Sequence, residues 1–115
     1  MIASPQPNAG PPEVGLDELA IALAQGAVLI DVRMPEEYED MHVPGAIHMP
    51  LSELSARSNE IPRDQRVYVI CASGSRSLAA AGALNRGGWD TVSVAEGTKG
   101  WFATGRPVES GGPDR

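Results

Sequence analysis

Short, wholly apolar runs separated by helix-patterned segments constrain this chain more than any other feature. Ala27-Val28-Leu29-Ile30 and Val67-Tyr68-Val69-Ile70 are continuous stretches of strand length, and Thr91-Val92-Ser93-Val94 is a third β-rich run. A strand with one wet face alternates apolar and polar residues, whereas an unbroken run marks a strand covered on both faces. Between the runs the pattern changes period. Leu16, Leu19, Ala20 and Leu23 fall at helical spacing and stop at Gly26. Pro35 opens a second helix over Glu36-Glu37-Tyr38-Glu39-Asp40, with acidic residues suited to its amino end. The expected architecture is an α/β three-layer sandwich, with a mostly parallel central sheet and helices on both faces.

The remaining segments fit the same alternation. Ile47-His48 reads as a short strand, Leu51 to Glu60 as a helix, Ser77 to Arg86 as an alanine-rich helix ended by Gly87-Gly88, and Thr98 to Thr104 as a last short helix. Residues 1–13 are proline-rich with almost no apolar anchors and read as a flexible tail, as do residues 109–115. One domain over residues 14–108 remains.

Composition removes several function classes. The chain of 115 residues has room for a single modest core. No apolar run approaches the roughly 20 residues of a membrane span. Met1-Ile2-Ala3-Ser4-Pro5 lacks the basic start and apolar run of a signal peptide, so the cytoplasm is the expected location. A formal charge of −6 with scattered basic residues opposes nucleic-acid binding. Cys71 is the single cysteine, which excludes an internal disulfide; with His42 and His48 as the only histidines, no metal centre is expected. A monomer is the default.

In parallel sheets ligands sit beyond the carboxyl ends of the strands, and Asp31, Cys71 and Ala95 fall at those ends. The segment Cys71-Ala72-Ser73-Gly74-Ser75-Arg76-Ser77 carries the chemistry. A thiol with an ordinary pKa near 8.5 falls to roughly 3.5–7.5 at a helix amino terminus or beside a cation. Gly74 permits backbone angles denied to other residues, and Ala72, Ser73 and Ser75 are small, so the loop amides can converge on the sulfur or on an atom attached to it. Arg76 adds a positive charge at the helix start, and Ser73, Ser75 and Ser77 offer hydroxyl donors. A single cysteine is more often a packed small hydrophobe; here the loop, the cation and the helix start argue for a nucleophile.

These residues resemble the active-site pattern Cys-x-x-Gly-x-Arg-Ser of the rhodanese family of sulfurtransferases. Two more segments agree: Leu29 to Arg33 with Pro35 to Tyr38 and His42 to Ile47, and Glu96-Gly97-Thr98-Lys99-Gly100-Trp101 with Gly105 and Pro107. The resemblance covers about residues 14 to 108. It implies a rhodanese-like fold and transfer of sulfane sulfur through a persulfide on Cys71, with no cofactor. Thiosulfate or a persulfide would be the donor, and cyanide, a thiol or a protein thiol the acceptor, a sulfur-relay protein among the partners the resemblance implies. Two other classes compete: a non-catalytic or regulatory binding module, which usually lacks the cysteine, and a cysteine phosphatase or reductase. Phosphatases use Cys-x5-Arg, whereas four residues separate Cys71 from Arg76.

The supporting residues carry their own expectations. Asp31 and Arg33 read as a structural ion pair or turn near the site. His42 reads as fixing the turn at Val43-Pro44-Gly45, with a catalytic role as the lesser alternative, and Glu36, Glu37, Glu39 and Asp40 as a solvated helix face or, alternatively, a docking face for a basic partner. Trp89 and Trp101 read as core, although Trp101 with Phe102 is also a candidate wall of the pocket. The loop has no lysine or second arginine, which some thiosulfate-selective relatives carry, and Glu96 stands where many relatives have glycine. Glu96 is therefore expected at the pocket mouth, where it would disfavour a dianion such as thiosulfate and favour a thiol persulfide.

Overall fold

The computed structural model describes residues 11–112. Among these residues, five parallel strands form one sheet in the order β1-β5-β4-β2-β3: β1 (Glu13–Val14), β2 (Val28–Asp31), β3 (Ile47–His48), β4 (Val67–Ile70) and β5 (Thr91–Val94). The helices are α1 (Leu16–Ala24), α2 (Pro35–Asp40), α3 (Leu51–Leu54), α4 (Ser75–Arg86) and α5 (Gly97–Ala103). The two-sided burial read from the apolar runs is real. Tyr68, Ile70, Val92 and Val94 join a core with Leu16, Leu19, Tyr38 and Trp101, while Val67, Val69 and Cys71 face Leu54, Ala80, Ala81 and Leu84 on the other side. Alternation along β4 thus aims the Cys71 side chain at the α3 and α4 layer.

Three expectations need correction. The stretch Leu51 to Glu60 is not one helix: α3 ends at Leu54 and a 3-10 turn covers Ser58–Glu60. Ser58 turns its hydroxyl onto the Ser55 carbonyl, offering the backbone a local alternative to the helical ladder. The alanine-rich helix begins at Ser75, two residues earlier than its sequence pattern suggests. The tail assignments also run too far inward. Glu13 pairs with Ser93 in the sheet, and Glu109 exchanges backbone hydrogen bonds of 2.8 and 2.9 Å with His42. The Gly111 amide donates to the Glu39 carbonyl and the Ser110 hydroxyl to that of Asp40. The rest of the tail assignment, residues 1–10 and 113–115, lies outside the described residues.

The topology locates a crevice. From β2 the chain crosses through α2 to β3 at one edge, and from the adjacent β4 it crosses through α4 to β5 in the opposite direction. Neighbouring strands whose connections diverge leave an opening beyond their carboxyl ends. Asp31 and Cys71 stand at those two ends. Among the described residues, no helix is long and apolar enough to cross a membrane.

Candidate active site

Cys71 follows the last residue of β4 and is 1% exposed. After it the chain must reverse within three residues to start α4, and Gly74 does so in the left-handed region at φ 105°. A side chain there would run into the Ala95 carbonyl oxygen, so glycine is required by conformation and by space. The reversal points the amides of Gly74 and Ser77 at Sγ, 3.2 and 3.3 Å away, and the thiol donates to Ser77 Oγ at 3.4 Å. Burial by itself raises the Cys71 pKa. The Ser77 hydroxyl, then the Ser77, Gly74 and Ser73 amides, outweigh it, and the thiol ends below its ordinary value.

A second loop clamps the first. Gly97 opens α5 at φ 63°, and a Cβ on it would lie inside contact distance of the Cys71 and Ala72 carbonyls. Because the backbones meet this closely, the Thr98 and Lys99 amides reach the Cys71 and Ala72 carbonyl oxygens at 2.9 and 3.0 Å. Those two carbonyls are thereby tied to the first turn of α5.

The remaining expected residues divide sharply. Asp31 and Arg33 form the anticipated ion pair, with Arg33 Nη2 2.8 Å from Asp31 Oδ2; Nη2 also donates to the Met41 carbonyl, and the pair is buried. His42 places Nδ1 2.7 Å from the Tyr38 carbonyl and stacks on the Tyr38 ring. Of the three loop hydroxyls only that of Ser77 reaches the sulfur, while Ser73 and Ser75 are exposed. Arg76 is not a free cation at the helix start. Its guanidinium is held by Glu37, with Nη1 to Oε1 at 2.7 Å and Nη2 to Oε2 at 2.9 Å. Sγ is stabilised by amides and a hydroxyl, with a charge that is already paired nearby.

Glu96, expected at the pocket mouth, is elsewhere, and of the two readings of Trp101 the structure matches core and not pocket wall. The Glu96 side chain folds over Gly100 and lines a cleft with Asp17, Glu18 and Arg106, which includes no residue of the Cys71 loop. Trp101 is buried in the α1 and α5 core, donating from Nε1 to the Pro107 carbonyl at 2.7 Å. Both placements have one cause: Glu96 and Trp101 lie on the α1 side of the sheet, opposite the layer that Cys71 faces. Sequence reading missed Glu37, placed on a solvated face. Its Oε1 also accepts the Met34 amide at 2.9 Å, and this acidic residue at the third position of a helix was the available signal.

Comparison with known proteins follows the same outline. The family model described as Rhodanese-like domain matches residues 16–104. A sulfurtransferase of Allochromatium vinosum is 31% identical over 99 residues, covering 84% of this chain and 92% of that one. YrkF of Bacillus subtilis is 42% identical over 74 residues, which are 64% of this chain but only 40% of its own length. Among solved structures, a rhodanese-related protein from Thermoplasma volcanium superposes with a TM-score of 0.80 at 32% identity, over 85% of this chain and 97% of that one.

Proposed function

This chain belongs to the rhodanese-like domain family, with a sulfurtransferase-type role, and we propose that it transfers sulfane sulfur by way of a persulfide on Cys71. The observation that carries the reading is the convergence of the Gly74 and Ser77 amides on Sγ at 3.2 and 3.3 Å. A thiolate so held is a nucleophile without a separate base. It attacks the outer sulfur of a donor. With thiosulfate, the sulfur–sulfur bond breaks, sulfite leaves with the bonding electron pair, and Cys71 carries the terminal sulfur as a persulfide anion. An acceptor thiolate or cyanide then attacks that sulfur, and the Cys71 thiolate departs unchanged. The charge moves outward by one atom at the persulfide stage. Amides fixed by Gly74 and by the start of α4 bear on that anion with little reorganisation.

The reading uses no cofactor and no metal. A small thiol or a protein thiol serves as acceptor, and the retained Cys71 sets the chain apart from a purely binding module. The test is intact mass after incubation with thiosulfate, and separately with a small persulfide. A gain of one sulfur atom that disappears in Cys71→Ser supports the proposal. No adduct from any of several sulfane donors overturns it.

A further inference from the structure

Ser93 is a hydroxyl in the middle of β5, flanked by Val92 and Val94 and 0% exposed. A buried hydroxyl costs stability unless it is bonded. Thr91, two residues earlier on the same face, has the Ala81 carbonyl oxygen and Asn85 Oδ1 at 2.9 and 2.8 Å as acceptors for its one hydroxyl hydrogen, tying strand to helix. Ser93 meets the same helix at a side chain and not at a backbone carbonyl. Its hydroxyl partner among the described residues is Ser77 Oγ, at 2.8 Å. Ser77 Oγ is also 3.4 Å from Cys71 Sγ and 3.1 Å from the Gly74 carbonyl oxygen.

Counting hydrogens fixes the direction of these bonds. The Gly74 carbonyl only accepts. Were Ser77 to donate to Ser93, the Ser93 hydrogen would lack an acceptor and Ser77 would have none left for sulfur. Ser93 therefore donates to Ser77. With Cys71 as a thiol, its hydrogen also goes to Ser77, and Ser77 donates to the Gly74 carbonyl; every hydrogen is placed. With the thiol proton gone, Sγ only accepts. The Gly74 carbonyl still holds the Leu78 amide at 3.1 Å, so it can release the Ser77 hydrogen to the sulfur. The Ser93 bond stays in place in both states, and a hydroxyl that is accepting one hydrogen bond donates a stronger one.

We infer that Ser93 is a positioning residue: it holds the Ser77 hydroxyl so that its hydrogen swings from the Gly74 carbonyl to Sγ whenever the sulfur is anionic. The inference rests on Cys71 as the reactive group of the proposed transfer, yet its test does not require sulfur to move. The pH dependence of Cys71 alkylation by iodoacetamide is measured in the whole chain for Ser93→Ala, Ser77→Ala and the double variant, with thermal unfolding as a check on the fold. Ser93→Ala should shift the ionisation upward and slow alkylation below that pKa by about three- to tenfold, the worth of one modest hydrogen bond. Ser93→Thr, which keeps the hydroxyl, should restore most of it. The double variant should match Ser77→Ala alone, because Ser93 acts only through Ser77. An unshifted ionisation in a folded Ser93→Ala overturns the inference, and so do independent, additive effects of the two substitutions. A normal titration series with no persulfide formed would instead reject the transfer reading and leave this inference standing.

Discussion

At the scale of single residues, Cys71 shows competing effects resolved by geometry. Burial opposes its ionisation, while the Ser77 hydroxyl and three amides favour it and win. The folded pKa is therefore lowered, so the thiolate is present above that value and is lost as pH falls through it. The rate of alkylation or of sulfur uptake should rise along one ionisation limb placed below the ordinary thiol range, then level off. Stopped-flow or quenched alkylation across pH would show a limb at the free-thiol position if the amides contribute nothing. Thr98 presents the opposite case. Its Oγ1 is buried, with no hydrogen-bond partner among the described residues. A stranded hydroxyl costs about 1–3 kcal/mol. Thr98→Val, nearly the same in shape, should raise stability by about 1 kcal/mol or more in denaturant titration, with the Cys71 ionisation unchanged.

Secondary-structure elements meet the site through two contacts. The Glu37–Arg76 pair ties the start of α2 to the start of α4 across the switch point of the sheet. The Arg76 hydrogen bonds hold the Glu37 carboxyl down at about 2 from an ordinary 4.5. A depressed carboxyl stabilises the fold above its unfolded pKa, and that contribution disappears as pH falls from 4.5 towards 2. Each partner is about a third exposed, so solvent screening reduces the effect. Glu37→Gln should cost about 1–2 kcal/mol near neutral pH and almost nothing at the acid end of that window. Urea melts at a series of pH values would measure it, and a cost independent of pH would refute the assignment. The second contact is backbone on backbone. Gly97→Ala cannot be fitted without pushing the Cys71 and Ala72 carbonyls aside. Losing one thiolate donor is worth about one pKa unit, so alkylation below the pKa should slow by about tenfold.

The whole molecule separates stability from chemistry. Residues 109–112 strap the carboxyl end of α2 through the His42–Glu109 bridge and the bonds from Ser110 and Gly111. Cutting the chain after Val108 should lower stability by about 1–3 kcal/mol, since those bonds are partly offset by the entropy of ordering the strap. The Cys71 ionisation should not move, because none of these bonds involves the loop. The same division explains what was legible. The apolar runs announced the sheet because a strand covered on both faces needs apolar side chains at every position, and that requirement is written contiguously. The sulfur cradle was legible for a related reason: Cys71 to Ser77 is one turn whose glycine and small residues are needed locally. Contiguous patterning thus carried the layered parallel sheet and the tight turn that follows Cys71. The folded arrangement alone reveals that Arg76 is neutralised by Glu37, that Ser93 backs Ser77, that Glu96 turns away, and that Glu13 enters the sheet. Glu37 and Arg76 are 39 residues apart and Ser77 and Ser93 are 16 apart. Such pairings depend on which strands lie side by side and which face each helix covers, and those are settled by packing the whole core.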